Sequence, residues 1–97
     1  MRFSEKVYAL CRRIPKGKVT TYKLIAERLG TRAYRAVGNA LNRNPHAPEV
    51  PCHRVVGSDG SLTGFAKGLR AKRRLLRKEG VRVEGGGVPL EEFLFKF

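Results

Sequence analysis

The chain has 97 residues, enough for one compact domain with a single modest core and too few for a second. Its 21 Lys and Arg outweigh 8 Asp and Glu, and the resulting formal charge of +13 calls for a polyanionic partner, nucleic acid first. No apolar run approaches a transmembrane length and no signal-peptide pattern precedes Ser4, so a soluble, cytoplasmic, membrane-free chain is expected.

Ser4 can cap a first helix with Glu5 in its opening turn, and Val7, Tyr8 and Cys11 then make one apolar face. Cys11 reads most simply as a core residue. The run Ile14-Pro15-Lys16-Gly17-Lys18 breaks the pattern, after which Val19 to Tyr22 is short, β-branched and strand-like. Thr20 or Thr21 can cap a second helix that runs to about Leu29 and ends at Gly30.

A third helix is expected from about Arg32 to Arg43. Ala33, Val37, Ala40 and Leu41 form its inward stripe, which leaves Arg32, Arg35, Asn39, Asn42 and Arg43 outward. Two short helices around a glycine turn, the second basic on its outer face, form a helix-turn-helix pattern, and small Ala36 and Gly38 would permit close approach to DNA. A helical hairpin with solvated arginines gives the same pattern, and the overall charge favours DNA.

Pro45, Pro48 and Pro51 then hold the chain out of helical conformation ahead of Cys52-His53-Arg54. A thiol beside an imidazole in a cationic setting is a candidate nucleophile, against the plainer reading of Cys52 as a small buried hydrophobe. No short-spaced cysteine pair pre-forms half a tetrahedral site, so neither a metal nor a disulfide is expected. The run His53 to Val56, the turn Ser58-Asp59-Gly60-Ser61 and the run Leu62 to Phe65 suggest a small hairpin.

Lys67 to Glu79 reads as the last long helix, with Leu69, Leu76 and Glu79 sharing an inward face among Arg70, Lys72, Arg73, Arg74, Arg77 and Lys78. An inward carboxylate needs a partner, for which His53 is one candidate. A helix-end Glu79 reaching solvent or a local arginine fits the periodicity equally well. After a joint at Gly85-Gly86-Gly87, the residues Leu90, Phe93, Leu94 and Phe97 give the tail an apolar stripe suited to docking on the domain.

Five runs taken in order carry a resemblance. They are Ile14 to Tyr22, Arg35-Ala36-Val37-Gly38-Asn39-Ala40-Leu41, Asn44-Pro45, Pro51-Cys52-His53-Arg54-Val55, and Leu75-Leu76-Arg77-Lys78-Glu79-Gly80. Over roughly Phe3 to Glu84 the chain resembles the C-terminal domain of the O6-alkylguanine-DNA alkyltransferases. The resemblance implies a mainly α, winged helix-turn-helix-like single domain with a small β-hairpin, residues 1–84, followed by a Gly-rich joint and apolar tail, 85–97. It implies a suicide enzyme that takes an alkyl group from O6-alkylguanine in double-stranded DNA once, without cofactor and as a monomer.

The same resemblance implies roles for particular residues. Cys52 is the acceptor, His53 takes its proton through water, Glu79 orients the imidazole and Asn44 braces the loop. Tyr22 contacts the flipped guanine and its phosphate, Arg35 fills the vacated stack, and Thr21, Arg32, Ala36, Gly38 and Asn39 meet the DNA. Val55, Phe65 and Ala66 line the guanine pocket. Full-length members carry an N-terminal domain with no counterpart in this sequence, and the tail is expected to cover the surface it would shield. Two other readings stay open: a non-enzymatic alkyltransferase-like protein, which typically has tryptophan at the acceptor position, and a winged-helix regulator without chemistry.

Overall fold

The computed structural model describes residues 2–46, 49–63 and 68–97. In chain order the elements are helix α1 (Phe3–Cys11), strand β1 (Thr20–Thr21), helices α2 (Tyr22–Arg28) and α3 (Tyr34–Asn42), a 3-10 turn (Cys52–Arg54), strand β2 (Val55–Val56), and helices α4 (Leu69–Lys78) and α5 (Leu90–Phe93). The described residues are mostly helical with one two-stranded sheet.

The sheet divides the interior. Val55 and Val56 are adjacent in an extended strand, so their side chains point to opposite faces. Val55 joins a cluster with Val7, Cys11, Ile14, Ile25, Val37, Ala40 and Leu41 from the α1, α2 and α3 side. Val56 joins a second cluster with Val19, Leu62, Leu76, Val81, Val83 and Val88 from the α4 side. On the first side, the buried Tyr8 hydroxyl donates to the Ala40 carbonyl at 2.7 Å and ties α1 to α3.

Several expectations are corrected. The two strands pair in parallel, Thr20 with Val55 and Thr21 with Val56, so β2 takes its partner from a distant segment instead of forming a hairpin with the run Leu62 to Phe65. Gly64 to Phe65 lie outside the described residues; Leu62 itself donates to the Gly86 carbonyl at 2.9 Å. The N-cap of α1 is Arg2, with no side-chain cap, and Ser4 lies inside the helix. Arg32 precedes α3, whose N-cap is Ala33.

In α4 the inward side chain of the first turns is Lys72, fully buried, whereas Leu69 is 46% exposed. Leu69 opens the helix beyond the reach of the second cluster, where Leu76 is the α4 member. Lys72, Leu76 and Glu79 follow each other at i, i+4 and i+7 on one helical face.

The last residues lie along β1. Val19 donates to the Phe93 carbonyl at 2.9 Å and Phe95 donates to the Val19 carbonyl at 2.7 Å. Leu90 and Phe93 pack on the second cluster, Phe95 and Phe97 on the first. Gly60, with φ +88°, sits where a Cβ would lie 2.3 Å from the Val88 carbonyl oxygen, so the turn after β2 meets the tail at a glycine. Among the described residues no helix is long and apolar enough to cross a membrane.

Candidate active site

Backbone sets the position of Cys52. The Cys52 amide donates to the Val50 carbonyl at 2.8 Å and the Arg54 amide to the Pro51 carbonyl at 2.9 Å, closing the tight turn that leads into β2. Val50 is also held from the side: Asn44 Nδ2 donates to its carbonyl at 2.8 Å, while Asn44 Oδ1 accepts from the His46 amide at 2.8 Å. Cys52 is half-buried, and it and Cys11 are free thiols.

Behind the turn lies an ionic chain. His53 Nε2 is 3.0 Å from Glu79 Oε2, Arg54 Nε donates to Oε1 at 2.9 Å, and Arg54 Nη2 donates to Oε2 at 2.7 Å. Arg54 Nη1 also donates to the Ile14 carbonyl at 2.8 Å. Glu79 is the C-cap of α4, an end where the helix dipole disfavours an anion, so these donors are what hold it charged. Of the two alternatives for Glu79, the structure takes the inward one with His53, and the arginine that joins it is Arg54 of the Cys52 turn and not a neighbour on α4.

Burial pulls the His53 pKa below its ordinary value and outweighs the raising effect of Glu79, so the ring is neutral at pH 7. Burial works to raise Glu79, but the hydrogen bonds from Arg54 and His53 overcome it and hold the carboxylate below its ordinary value. With Glu79 ionised, Nε2 of a neutral ring carries the proton it shares with the carboxylate, which leaves Nδ1 as the free base.

A second set of groups meets Tyr22, the first residue of α2. Thr21 is buried and its hydroxyl accepts from the Leu24 amide at 3.1 Å, so it caps α2 and its side chain is not presented to a ligand, contrary to expectation. Tyr22 donates to the Thr63 carbonyl at 3.1 Å. Lys72 Nζ donates to the same carbonyl at 2.8 Å, lies 3.4 Å from the Tyr22 hydroxyl and 5.8 Å from its ring centroid.

Burial raises the Tyr22 pKa, which keeps the phenol a donor at neutral pH. Burial lowers Lys72 to about 8, against the opposing pull of Cys52 and Cys11. Lys72 was missed because a lysine among five other basic residues of α4 reads as solvated. Its spacing to Leu76 and Glu79 was the available signal.

Outside these groups an open cleft of about 480 Å³ is lined by Tyr22, Tyr34, Arg35, Gly38, Asn39, Asn42 and Thr63. Arg35 and Asn39 are exposed on α3, and Ala36 and Gly38 are partly covered. A Cβ on Gly38 would approach only Tyr22, at 4.0 Å, so the protein itself has room for a larger residue there. Arg32 is exposed before the helix. The Val55 side chain is fully buried, so any contact it makes with a ligand falls to its backbone. Phe65 and Ala66 lie outside the described residues.

Residues 2–81 match the family described as 6-O-methylguanine DNA methyltransferase, DNA binding domain. The chain belongs to this family. It is 58% identical over 79 residues to the Methylated-DNA--protein-cysteine methyltransferase of Methanosarcina barkeri, covering 79% of this chain and 49% of the relative. The chain thus spans about half the length of the curated relatives it matches.

Two solved structures resemble the fold. Mycobacterium tuberculosis OGT in complex with DNA superposes with a TM-score of 0.78 at 44% identity, over 81% of this chain and 50% of that one. S. pombe Atl1, in complex with damaged DNA containing O6-carboxymethylguanine, gives a TM-score of 0.88 at 32% identity over 100% of both chains.

Proposed function

We propose that this chain is the active-site and DNA-binding unit of an O6-alkylguanine-DNA alkyltransferase, which repairs DNA by moving an alkyl group from guanine O6 to Cys52. The observation that carries this reading is the turn that sets the Cys52 thiol beside His53, with Glu79 and Arg54 behind it.

In the proposed step Cys52 Sγ attacks the alkyl carbon, the C–O bond breaks and its electron pair goes to guanine O6. The thiol proton passes to His53 Nδ1 through a water, because the ring's described hydrogen bond runs to Glu79. The imidazolium that forms is stabilised by Glu79, as Arg54 holds the carboxylate in place. Guanine departs as the neutral base once it gains a proton; in this reading the Tyr22 hydroxyl turns from the Thr63 carbonyl to give its proton to the base and takes one in return from the Lys72 ammonium beside it. The product is a thioether that none of these groups can cleave, so each molecule acts once.

An alkylated guanine inside the duplex cannot be reached in line, so the nucleotide must leave the stack. Helix α3 suits that task. Gly38 and Ala36 allow a groove to approach closely, Arg35 at the mouth of the cleft can fill the gap in the stack, and Arg32 and Asn39 reach phosphate or sugar. Val55 backbone, Phe65 and Ala66 complete the base pocket in this reading.

Incubation with duplex bearing O6-[³H-methyl]guanine should leave one equivalent of label on a Cys52 peptide, and Cys52→Ala should bind the duplex yet accept nothing. Label elsewhere, or repeated turnover, would refute the reaction. The whole-length likeness to Atl1 bound to damaged DNA favours a second reading, lesion binding without transfer. Tight lesion binding with an unchanged intact mass would establish that reading instead.

A further inference from the structure

The proposed recognition helix accounts for little of the charge. Within its nine residues α3 carries a single basic side chain, Arg35. The ten residues of α4 carry Arg70, Lys72, Arg73, Arg74, Arg77 and Lys78, with no acid among them. Lys72 is spent inside, on Thr63 and Tyr22.

The direction of Lys72 fixes where the others point. At about 100° per residue, Arg70 and Arg74 lie about 160° round the helix from Lys72, and Arg73 about 100°. Lys72 points at Tyr22 beside the cleft, so Arg70 and Arg74 face away from it, and all three arginines are exposed. The two helices also belong to opposite faces of the sheet, α3 with the Val55 cluster and α4 with the Val56 cluster. A straight duplex seated on α3 therefore leaves this stripe untouched.

Among the described residues no acid neutralises the stripe. Glu79 is committed to Arg54 and His53, and Glu84 and Glu92 to Arg82. Among the described residues Arg70, Arg73 and Arg74 make no ion pair. Arg70 and Arg74 are successive on one face, about 6 Å apart along the axis, a row of fixed cations that matches a phosphate backbone better than a compact anion.

We infer that the outward face of α4 is a second phosphate-backbone site, which holds a DNA segment other than the one on α3, so that one chain bridges two duplexes. The inference rests on the reading that α3 docks a duplex. The triple variant Arg70→Ala/Arg73→Ala/Arg74→Ala tests it, and alanine keeps the helix, being its best former.

A bead-bound duplex carrying the lesion is loaded with protein and washed, and a labelled free duplex is added at low salt. The wild-type chain should retain the labelled duplex with a mass of one chain per two duplexes. The triple variant should retain at least about tenfold less, with the salt slope of the second contact reduced by about 2–3. Its affinity for the first duplex and its transfer to Cys52 should stay within about twofold of wild type, because the changed residues face away from the α3 cleft.

Failure of the wild-type chain to retain a second duplex would overturn the inference, as would equal retention by the triple variant, equal retention of polyglutamate, or two chains in the complex. A parallel loss of first-duplex affinity would also overturn it, by placing α4 on the same segment. Transfer is read in the same tube, so a chain that bridges without transferring would count against the proposed reaction and still support the bridge.

Discussion

The two thiols of this chain differ in everything but their chemistry. Cys11 stands on the inner face of α1 with no exposure, and burial, aided by the nearby Cys52, pushes its pKa up to about 12. Cys52 stands on a turn closed by its own backbone and braced by Asn44, half-buried, with a neutral imidazole as the next residue. The difference teaches that reactivity here comes from the conformation of the chain around the sulfur, since both thiols lie near the same core cluster.

The largest effect that could break this contrast is in chemical labelling. Iodoacetamide should modify Cys52 at least about 10³-fold faster than Cys11 in the native protein, because Cys11 is exposed only through unfolding. Peptide mapping over time reads this directly, and comparable rates would put Cys11 outside the core. Next, Glu79→Gln should slow single-turnover transfer to Cys52 by about 10², with duplex affinity kept. In the wild type the rate should decline with acid only below the ordinary histidine range, since burial holds the His53 pKa low and the ring gains the proton that blocks it as a base only there.

A third effect separates charge from packing. Native Lys72 loses its proton near 8 while the unfolded chain keeps it to about 10.5. The unfolded state therefore binds more protons between those values, and wild-type stability rises with pH across that window. Against Lys72→Met, which lacks this contribution, the wild-type chain should gain about 2–3 kcal/mol between pH 7 and pH 10 in paired urea melts.

The smallest effect sharpens the two-thiol comparison itself. Cys11→Ser places a hydroxyl in the core and should cost about 1–2 kcal/mol, whereas Cys52→Ser should stay within about 0.5 kcal/mol. Thermal melts of both variants check this, and equal losses would mean that Cys52 is packed as tightly as Cys11.

Much of this was legible in the order of residues. The helices fall within a few residues of their expected spans, because the stripes of α1, α2 and α3 follow helical spacing without conflict. The residues themselves pointed to Cys52 and His53, periodicity left Glu79 open until the resemblance gave it a role, and the fold sets His53 Nε2 3.0 Å from Glu79 Oε2. The small sheet was misread, because two-residue strands have too little pattern to name a partner, and Val55-Val56 is paired through tertiary packing with Thr20-Thr21. Lys72 does not stand out in the sequence for the opposite reason: its spacing to Leu76 and Glu79 is that of an inward residue, but its charge favours solvent.

Arg54 shows what the clamp behind the acceptor demands. Its guanidinium serves both Glu79 oxygens and, from the remaining nitrogen, the carbonyl of Ile14 forty residues earlier in the chain. The turn is therefore seated by a flat, three-way fork that joins α4, the loop after α1 and the turn itself. Lysine could restore the positive charge but not the plane, so at this position the usual exchange of one basic residue for another would be a change of shape.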